Sequence, residues 1–401
     1  MRYYNFKGQS ISRLGQGIMR MPTNEPDGTI DEEKALALID HAYMNGINYF
    51  DTAFFYHSCH SEEFIGKALA KYPRDTWYLA DKMPGNFMAY ENGVYKLELG
   101  PFNLKDSTFN SLKEIFELQL KRCGVDYFDF YMLHNLAEST YDLYTSDEAG
   151  IVNYLIEEKN AGRIRHLGFS SHGRPETIEK FLKKYNCFEY VQIQLNYLDW
   201  TLQSAGEIYD ILAKHNLPVI AMEPVRGGKL ANPGEKQATI LNAARPNYTP
   251  AAWAFRFLQA LPNVAIVLSG MTTMEQLQEN IEIFCKDDPI SEAEKAVLQQ
   301  VVESMADFVP CTSCRYCCAV CPRSLDIPML ISTFNEACVE VAWLVNTTMA
   351  ELSNDEKPDA CIGCGMCNPL CPQNIDIPKT LQRFVELLEE NKQEDCEQGK
   401  R

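Results

Sequence analysis

Eight cysteines stand in two copies of one spacing, Cys311-x2-Cys314-x2-Cys317-x3-Cys321-Pro322 and Cys361-x2-Cys364-x2-Cys367-x3-Cys371-Pro372. A loop so spaced wraps three thiolates around one four-iron cluster and sends its fourth cysteine to another cluster. One cluster then takes Cys311, Cys314, Cys317 and Cys371, and the other takes Cys361, Cys364, Cys367 and Cys321. Zinc also uses paired C-x2-C, but it has no need of the third cysteine at the next x2 or of the trailing Cys-Pro. Ile327-Pro328 and Ile377-Pro378 follow each motif at the same offset, so the duplication extends beyond the ligands. Cys318 and Cys338 read as free thiols, and Cys396 as idle.

A second constellation lies in the first third of the chain. Asp51, Tyr56, Lys82 and His134 fall at or just beyond the C-terminal ends of successive apolar runs. Converting a carbonyl to an alcohol needs these roles, because a hydride reaching carbon leaves charge on oxygen that an acid must quench. Tyr56 is the expected acid, with its ordinary pKa of about 10 lowered by the Lys82 cation. Asp51 would keep Lys82 charged and placed, and His134 would hold the carbonyl oxygen. His57, Cys59 and His60 crowd the same loop, yet no carboxylate stands at helical spacing to them, so substrate contact or plain surface is expected rather than a metal.

The elements that must position these residues are legible as a repeat. Short β-rich runs at Leu14–Met19, Ile47–Asp51, Trp77–Lys82, Phe128–His134, Ile164–Phe169, Tyr190–Leu195, Pro218–Met222 and Val264–Leu268 alternate with amphipathic segments. Eight such units close a (β/α)8 TIM barrel, an α/β fold whose catalytic face is formed by the strands' C-terminal ends. Helix starts are marked by Asp31 before Glu32-Glu33 and by Thr249 before Pro250. Two stretches lack period, Met83–Asp106 and Asn135–Asp147, and are expected as long loops over the barrel mouth. The predicted organisation is a barrel over 1–290, a linking helix over 291–306 and an iron-sulfur domain over 307–401, with a helical stretch Phe334–Leu352 between the cysteine motifs.

Composition narrows the partners. A net charge of -18 argues against nucleic acid and anionic membrane, both of which need a basic face. Fifteen cysteines in a long chain, ten of them between Cys311 and Cys371, point to metal rather than disulfides. The first residues carry no apolar core of an export signal and no run of about 18 apolar residues occurs, so a cytoplasmic protein is expected.

Phe50-Asp51-Thr52-Ala53-Phe54-Phe55-Tyr56, Ala80-Asp81-Lys82 and Phe128-Asp129-Phe130-Tyr131-Met132-Leu133-His134 resemble the aldo/keto reductase tetrad in order and spacing. Leu14-Gly15-Gln16-Gly17 and Gly168-Phe169-Ser170-Ser171-His172 extend the resemblance over Arg2–Phe284. It implies a nicotinamide cofactor, NAD(H) or NADP(H), and a small carbonyl or alcohol substrate. Ser170, Ser171 and Gln194 match the family's nicotinamide-amide contacts, and Glu279 and Asn280 its adenine contacts. Met222 stands where an aromatic ring usually stacks, while Gly270 and Gln276 replace the Lys and Arg that usually clamp the 2'-phosphate. The C-terminal part resembles a bacterial two-cluster ferredoxin over Pro310–Pro378, with a longer stretch between its motifs.

Three readings remain open at this level. The barrel could reduce a carbonyl with NAD(P)H while the clusters serve docking, regulation or stability. Alternatively, the clusters could feed electrons from a redox partner protein to a substrate in the barrel without nicotinamide. A non-enzymatic electron carrier on a relic barrel is the third, and an intact tetrad argues against it.

Overall fold

The computed structural model describes all residues except 25–27, 99–105, 287, 306–308, 310, 312–314, 316, 339–341, 372–374 and 399–401, together with the side chains of 342–344 and 391–398. Cys314, Pro372, the side chain of Cys396 and the expected boundary at 306 lie outside the described residues. The chain forms two compact units, Met1–Leu298 and Gln299–Arg401. The division falls inside the helix Glu292–Glu303.

Thirteen strands are described: β1 Tyr3–Phe6, β2 Gln9–Ser12, β3 Leu14–Gly17, β4 Tyr49–Asp51, β5 Tyr78–Met83, β6 Met88–Glu91, β7 Val94–Leu97, β8 Ser107–Phe109, β9 Phe128–Leu136, β10 Ile164–Ser171, β11 Tyr190–Gln194, β12 Val219–Met222 and β13 Val264–Ser269. Eight of them, β3, β4, β5 and β9 to β13, run parallel in that order and close on themselves. These are the eight apolar runs of the sequence. Helices follow the strands with the expected starts: Asp31 accepts the Lys34 amide at 3.2 Å, and Thr249 caps Pro250–Gln259 through the Ala252 amide at 3.2 Å.

Two expectations need correction. Met83–Asp106 is not a plain loop, because β6, β7 and β8 form an antiparallel sheet. Its strands are short and half-exposed, so their pattern carries no clean alternation. The stretch Asn135–Asp147 contains a helix, Glu138–Thr145, started by the Thr140 hydroxyl accepting the Ala137 amide at 2.9 Å.

The N-terminal hairpin β1–β2 corks the barrel at the end away from the tetrad. Phe6 and Ile11 are buried against Tyr49, Phe130, Tyr190 and Ile266, and the Phe6 ring meets Phe130 edge-on at 5.2 Å. These rings need room. A Cβ at Gly168 would stand 2.5 Å from the Tyr190 ring. Gly168→Ala is expected to cost about 1–3 kcal/mol through overpacking, read as a lower urea midpoint with unchanged slope.

A buried guanidinium holds the end of the barrel sequence. Arg256, 1% exposed, grips Glu294 at 2.8 and 2.9 Å, and Arg245 reaches the same carboxylate at 2.8 Å. The Arg256 hydrogen bond, ahead of an opposing burial effect, pulls Glu294 down to about 2. A depressed carboxylate stabilises the fold above its unfolded pKa of about 4.3 and loses that contribution as pH falls toward 2. Glu294→Gln should therefore flatten the loss of stability between about pH 4.5 and 2, as followed by acid titration of the melting temperature.

The second unit packs Leu325, Ile327, Leu330, Ile331, Phe334, Ile375, Ile377, Leu381 and Phe384 around Cys317 and Cys367. Its internal repeat is structural. The helices Ile327–Cys338 and Ile377–Gln398 each start after an aspartate, Asp326 or Asp376, that accepts an amide three residues on. Of the helical stretch expected over Phe334–Leu352, the described residues give helix in Ile327–Cys338 and in Ala342–Glu351. No described helix is long and apolar enough to cross a membrane.

Candidate active site and cluster cradle

The ends of neighbouring strands bring the four tetrad candidates together. Lys82 Nζ donates to Asp51 Oδ1 at 2.5 Å and to the Thr52 carbonyl at 2.7 Å, with both charged side chains 1% exposed. The ammonium lies 4.9 Å from the Tyr56 ring centroid. The His134 ring stands edge-on to Tyr56 at 6.1 Å and 85°.

Burial works against the Lys82 cation, but Asp51 and then Tyr56 outweigh it and raise its pKa. Lys82 therefore stays charged. Burial also acts on Tyr56, raising its pKa, while the charge and hydrogen bond of Lys82 pull it down; the net direction is upward. This reverses the expected lowering. The cation limits the rise without abolishing it, so Tyr56 is a protonated phenol at neutral pH. His134 is pushed well below the ordinary imidazole value by burial first, then by Lys82 and His172. Its Nδ1 is buried without a hydrogen-bond partner among the described residues.

A polar raft behind Lys82 holds its backbone, and sequence reasoning missed it. The Lys82 amide donates to Asp81 Oδ1 at 2.8 Å, and Gln119 Nε2 donates to the Lys82 carbonyl at 3.0 Å and to Glu62 at 2.8 Å. Tyr131 fixes Gln119 from the other side at 2.5 Å, and Arg122 pairs with Glu62 at 2.9 Å. Glu62 and Asp81 are fully buried and hydrogen-bonded to each other; burial, then Glu62, pushes the Asp81 carboxyl well up. The available signal was Asp81 itself, a buried carboxylate beside Lys82 in a strand whose other residues are Tyr78, Leu79, Ala80 and Met83.

The loop carrying Tyr56 is tightly held. His57, Ser58 and Cys59 all adopt left-handed backbone, at φ 48°, 52° and 71°. His57 Nε2 accepts the Met21 amide at 3.1 Å, and Thr52 and Ser61 hydroxyls meet at 2.7 Å across the loop's base. Among the described residues no group of three His, Cys, Asp or Glu side chains is placed to hold a single metal ion.

The cofactor candidates are only partly gathered. Ser170 and Ser171 end β10, Gln194 ends β11, and Met222 is its register partner on β12. Both serine hydroxyls serve the end of β9: Ser170 accepts the Asn135 amide at 2.9 Å, and Ser171 donates to the Leu136 carbonyl at 2.6 Å. Gln194 donates to Asp199 at 2.8 Å, and Gln192 reaches the Met222 sulfur at 3.6 Å. Glu279 accepts the Thr249 hydroxyl, and Asn280 donates to Ser269 at 3.2 Å. Gln276 accepts the Thr272 amide at 2.8 Å as a helix cap, and the Arg20 stem lies over Gly270, 3.1 Å from where a Cβ would stand.

In the second unit, Cys321, Cys361, Cys364 and Cys367 line one open hollow with Ile327, Ile377 and Leu381. Four sulfurs around an apolar hollow fit the donor set of a four-iron cluster. Burial pushes Cys367 up, and Cys361, Cys364 and Cys321 add to it. Of the other set, Cys317 is pushed up to about 12 by burial, Cys318 and Cys311, while Cys371 packs on the same core. Crowded thiols of this kind repel once ionised, and a bound cation of iron removes that repulsion.

The aldo/keto reductase family matches residues 13–303, and a 4Fe-4S dicluster domain matches residues 310–376. The chain belongs to the aldo/keto reductase family and carries a C-terminal 4Fe-4S dicluster domain. It is an oxidoreductase enzyme. Similar curated proteins include the uncharacterized oxidoreductase YqkF of Bacillus subtilis, 29% identical over 68% of this chain and 87% of that one. The NADH-specific methylglyoxal reductase of Escherichia coli is 24% identical over 74% and 96%. Among solved structures, aldo-keto reductase AKR11C1 from Bacillus halodurans in its holo form superposes with a TM-score of 0.58 at 26% identity, covering 75% of this chain and 95% of that one.

Proposed function

We propose that the barrel interconverts a small carbonyl compound and its alcohol with a nicotinamide dinucleotide, and that the C-terminal part holds two four-iron clusters for one-electron traffic or regulation. Residues 1–290 serve as the catalytic domain, 291–306 as its linking helix and 307–401 as the cluster domain. The observation that carries this reading is the Tyr56 ring, whose centroid lies 4.9 Å from an ammonium that is buried and paired to Asp51. The methylglyoxal reductase activity in the name of the Escherichia coli relative supports a carbonyl substrate.

A nicotinamide held there would supply the hydride for the carbonyl carbon. Tyr56 gives its hydroxyl proton to the oxygen as charge develops there, and Lys82 stabilises the tyrosinate that remains. His134 stays neutral and donates a hydrogen bond that orients the carbonyl. Ser170, Ser171, Gln194, Met222, Glu279 and Asn280 are the residues that would hold the cofactor, and Cys311, Cys314, Cys317, Cys371 and Cys361, Cys364, Cys367, Cys321 the two clusters.

The test is an anaerobic titration of iron-loaded protein with NADH and NADPH, following cluster bleaching and nicotinamide absorbance together. NADH is expected to bind at least as tightly as NADPH, because both customary phosphate clamps are absent at Gly270 and Gln276. Carbonyl reduction should hold its rate from pH 7 to beyond about 10, then fall as Tyr56 loses the proton it must donate. A second reading, electrons fed from the clusters without nicotinamide, is favoured by the committed hydroxyls of Ser170 and Ser171. Failure of both dinucleotides to bind would select it.

A further inference from the structure

Six large apolar side chains are exposed among the described residues, and three of them, Ile362 at 63%, Met366 at 56% and Leu370 at 43%, fall within one cysteine motif. The segment Cys361–Cys371 contains no charged residue. Ile362 and Met366 line the cavity formed with Cys321, Cys361, Cys364 and Cys367, and Cys364 is itself exposed. Gly363 and Gly365, at φ 67° and 70°, have no atom within 4 Å of where a Cβ would stand, so the loop lies bare over the sulfurs. Leu370 stands on the short helical turn Asn368–Leu370 that follows.

The surroundings are acidic. Asp359 and Asp376 flank the segment, both exposed and neither in an ion pair among the described residues, while Arg323 at the cavity edge is neutralised by Asp355 at 3.1 Å. Over residues 299–401 sixteen acids face eight bases. The first motif is built differently. At the offset of Gly365 it carries Arg315, tied to Asp326 at 3.1 Å, and at the offset of Leu370 the half-buried Val320.

An uncharged apolar patch on acidic ground, directly above a cluster cavity, is a surface shaped for brief contact. Apolar exposure of this kind marks interaction sites. Small interfaces suit short-lived redox encounters, and opposite charge at their rims sets the rate of approach. We propose that Ile362, Met366 and Leu370 form the docking port of a one-electron carrier protein whose own redox centre lies behind an apolar patch rimmed by lysines and arginines. Electrons enter or leave through the cluster of Cys361, Cys364, Cys367 and Cys321. The proposal rests on the reading that these cysteines hold a cluster. Each encounter moves one electron: the carrier is oxidised by one and the cluster reduced by one, or the reverse, with no bond made and no proton transferred at the port.

The probe is ferric cytochrome c, a lysine-rimmed carrier, mixed anaerobically with the dithionite-reduced, desalted holoprotein. Binding by titration calorimetry on the oxidised protein and haem reduction by stopped flow are read separately. Wild type should bind at low ionic strength and weaken roughly tenfold or more between about 10 and 200 mM salt. Ile362→Gln/Met366→Gln/Leu370→Gln should weaken binding and slow haem reduction by about tenfold with iron content unchanged. Asp359→Lys, exposed and outside the cysteine motif, should weaken binding alone and decides the matter if the triple variant fails to load iron. Arg315→Glu at the first motif should not weaken it. Equal binding and haem reduction by wild type and both port variants would overturn the proposal. So would a wild-type dimer in sedimentation that the triple variant breaks, which would assign the patch to a second copy. Neither readout uses carbonyl chemistry, so loss of docking and loss of the reductase reading are separate results.

Discussion

Tyr56→Phe is expected to lower kcat for carbonyl reduction by about a hundred- to ten-thousandfold, the range for removing a positioned general acid. That is about 3–5 kcal/mol of barrel chemistry assigned to one hydroxyl. The fold should hardly notice. Lys82 keeps the Asp51 carboxylate and the Thr52 carbonyl as acceptors, so the urea midpoint should move by less than about 1 kcal/mol. Nicotinamide affinity should be unchanged, because no contact assigned to the cofactor involves Tyr56. Steady-state kinetics of aldehyde reduction, with dinucleotide binding measured beside it, checks each part. Unchanged turnover would return the barrel to the relic reading.

Lys82→Met is expected to be costly in stability as well as activity. Removing one partner of a fully buried ion pair leaves the other charge without compensation, at about 3–5 kcal/mol. Asp51 is poorly equipped to bear it, since its Oδ2 already lacks a partner among the described residues. Asp51→Asn in the same chain should recover most of the loss, because a neutral pair in that space needs no counter-charge. The midpoint is best followed by tryptophan fluorescence, three of the four tryptophans, Trp77, Trp200 and Trp253, lying in the barrel. A single-variant cost under about 1 kcal/mol would show that the pair is not desolvated. Activity should stay lost in the double variant, since the cation beside Tyr56 is gone in both.

The barrel was legible because buried parallel strands are continuous apolar runs, and the eight that close it stand out between polar helical faces. The hairpin β1–β2 was not, since four-residue strands such as Tyr3–Phe6 carry too few positions to show a period. Nor was the sheet β6–β8, whose half-exposed strands read like loop. Tetrad order was visible as residue types at strand ends, and the structure brings the four together. The direction of the Tyr56 shift was hidden because proximity of Lys82 can be guessed from spacing, whereas burial by the rest of the mouth cannot. Glu62 escaped for a similar reason: its partner Gln119 lies 57 residues away and nothing local marks the pair.

Three consecutive left-handed residues after Tyr56 have a consequence for how that side chain can move. Each non-glycine residue held there costs on the order of 1 kcal/mol, and the way back to ordinary backbone passes through forbidden φ values near zero. Such a segment does not bend by degrees. Its excursions are flips, in which the Met21–His57 bond breaks and the phenol swings away as a unit. Tyr56 is thus either aimed or absent, and a population of mis-aimed enzyme would show as a discrete second species exchanging with the first rather than as a blurred active site.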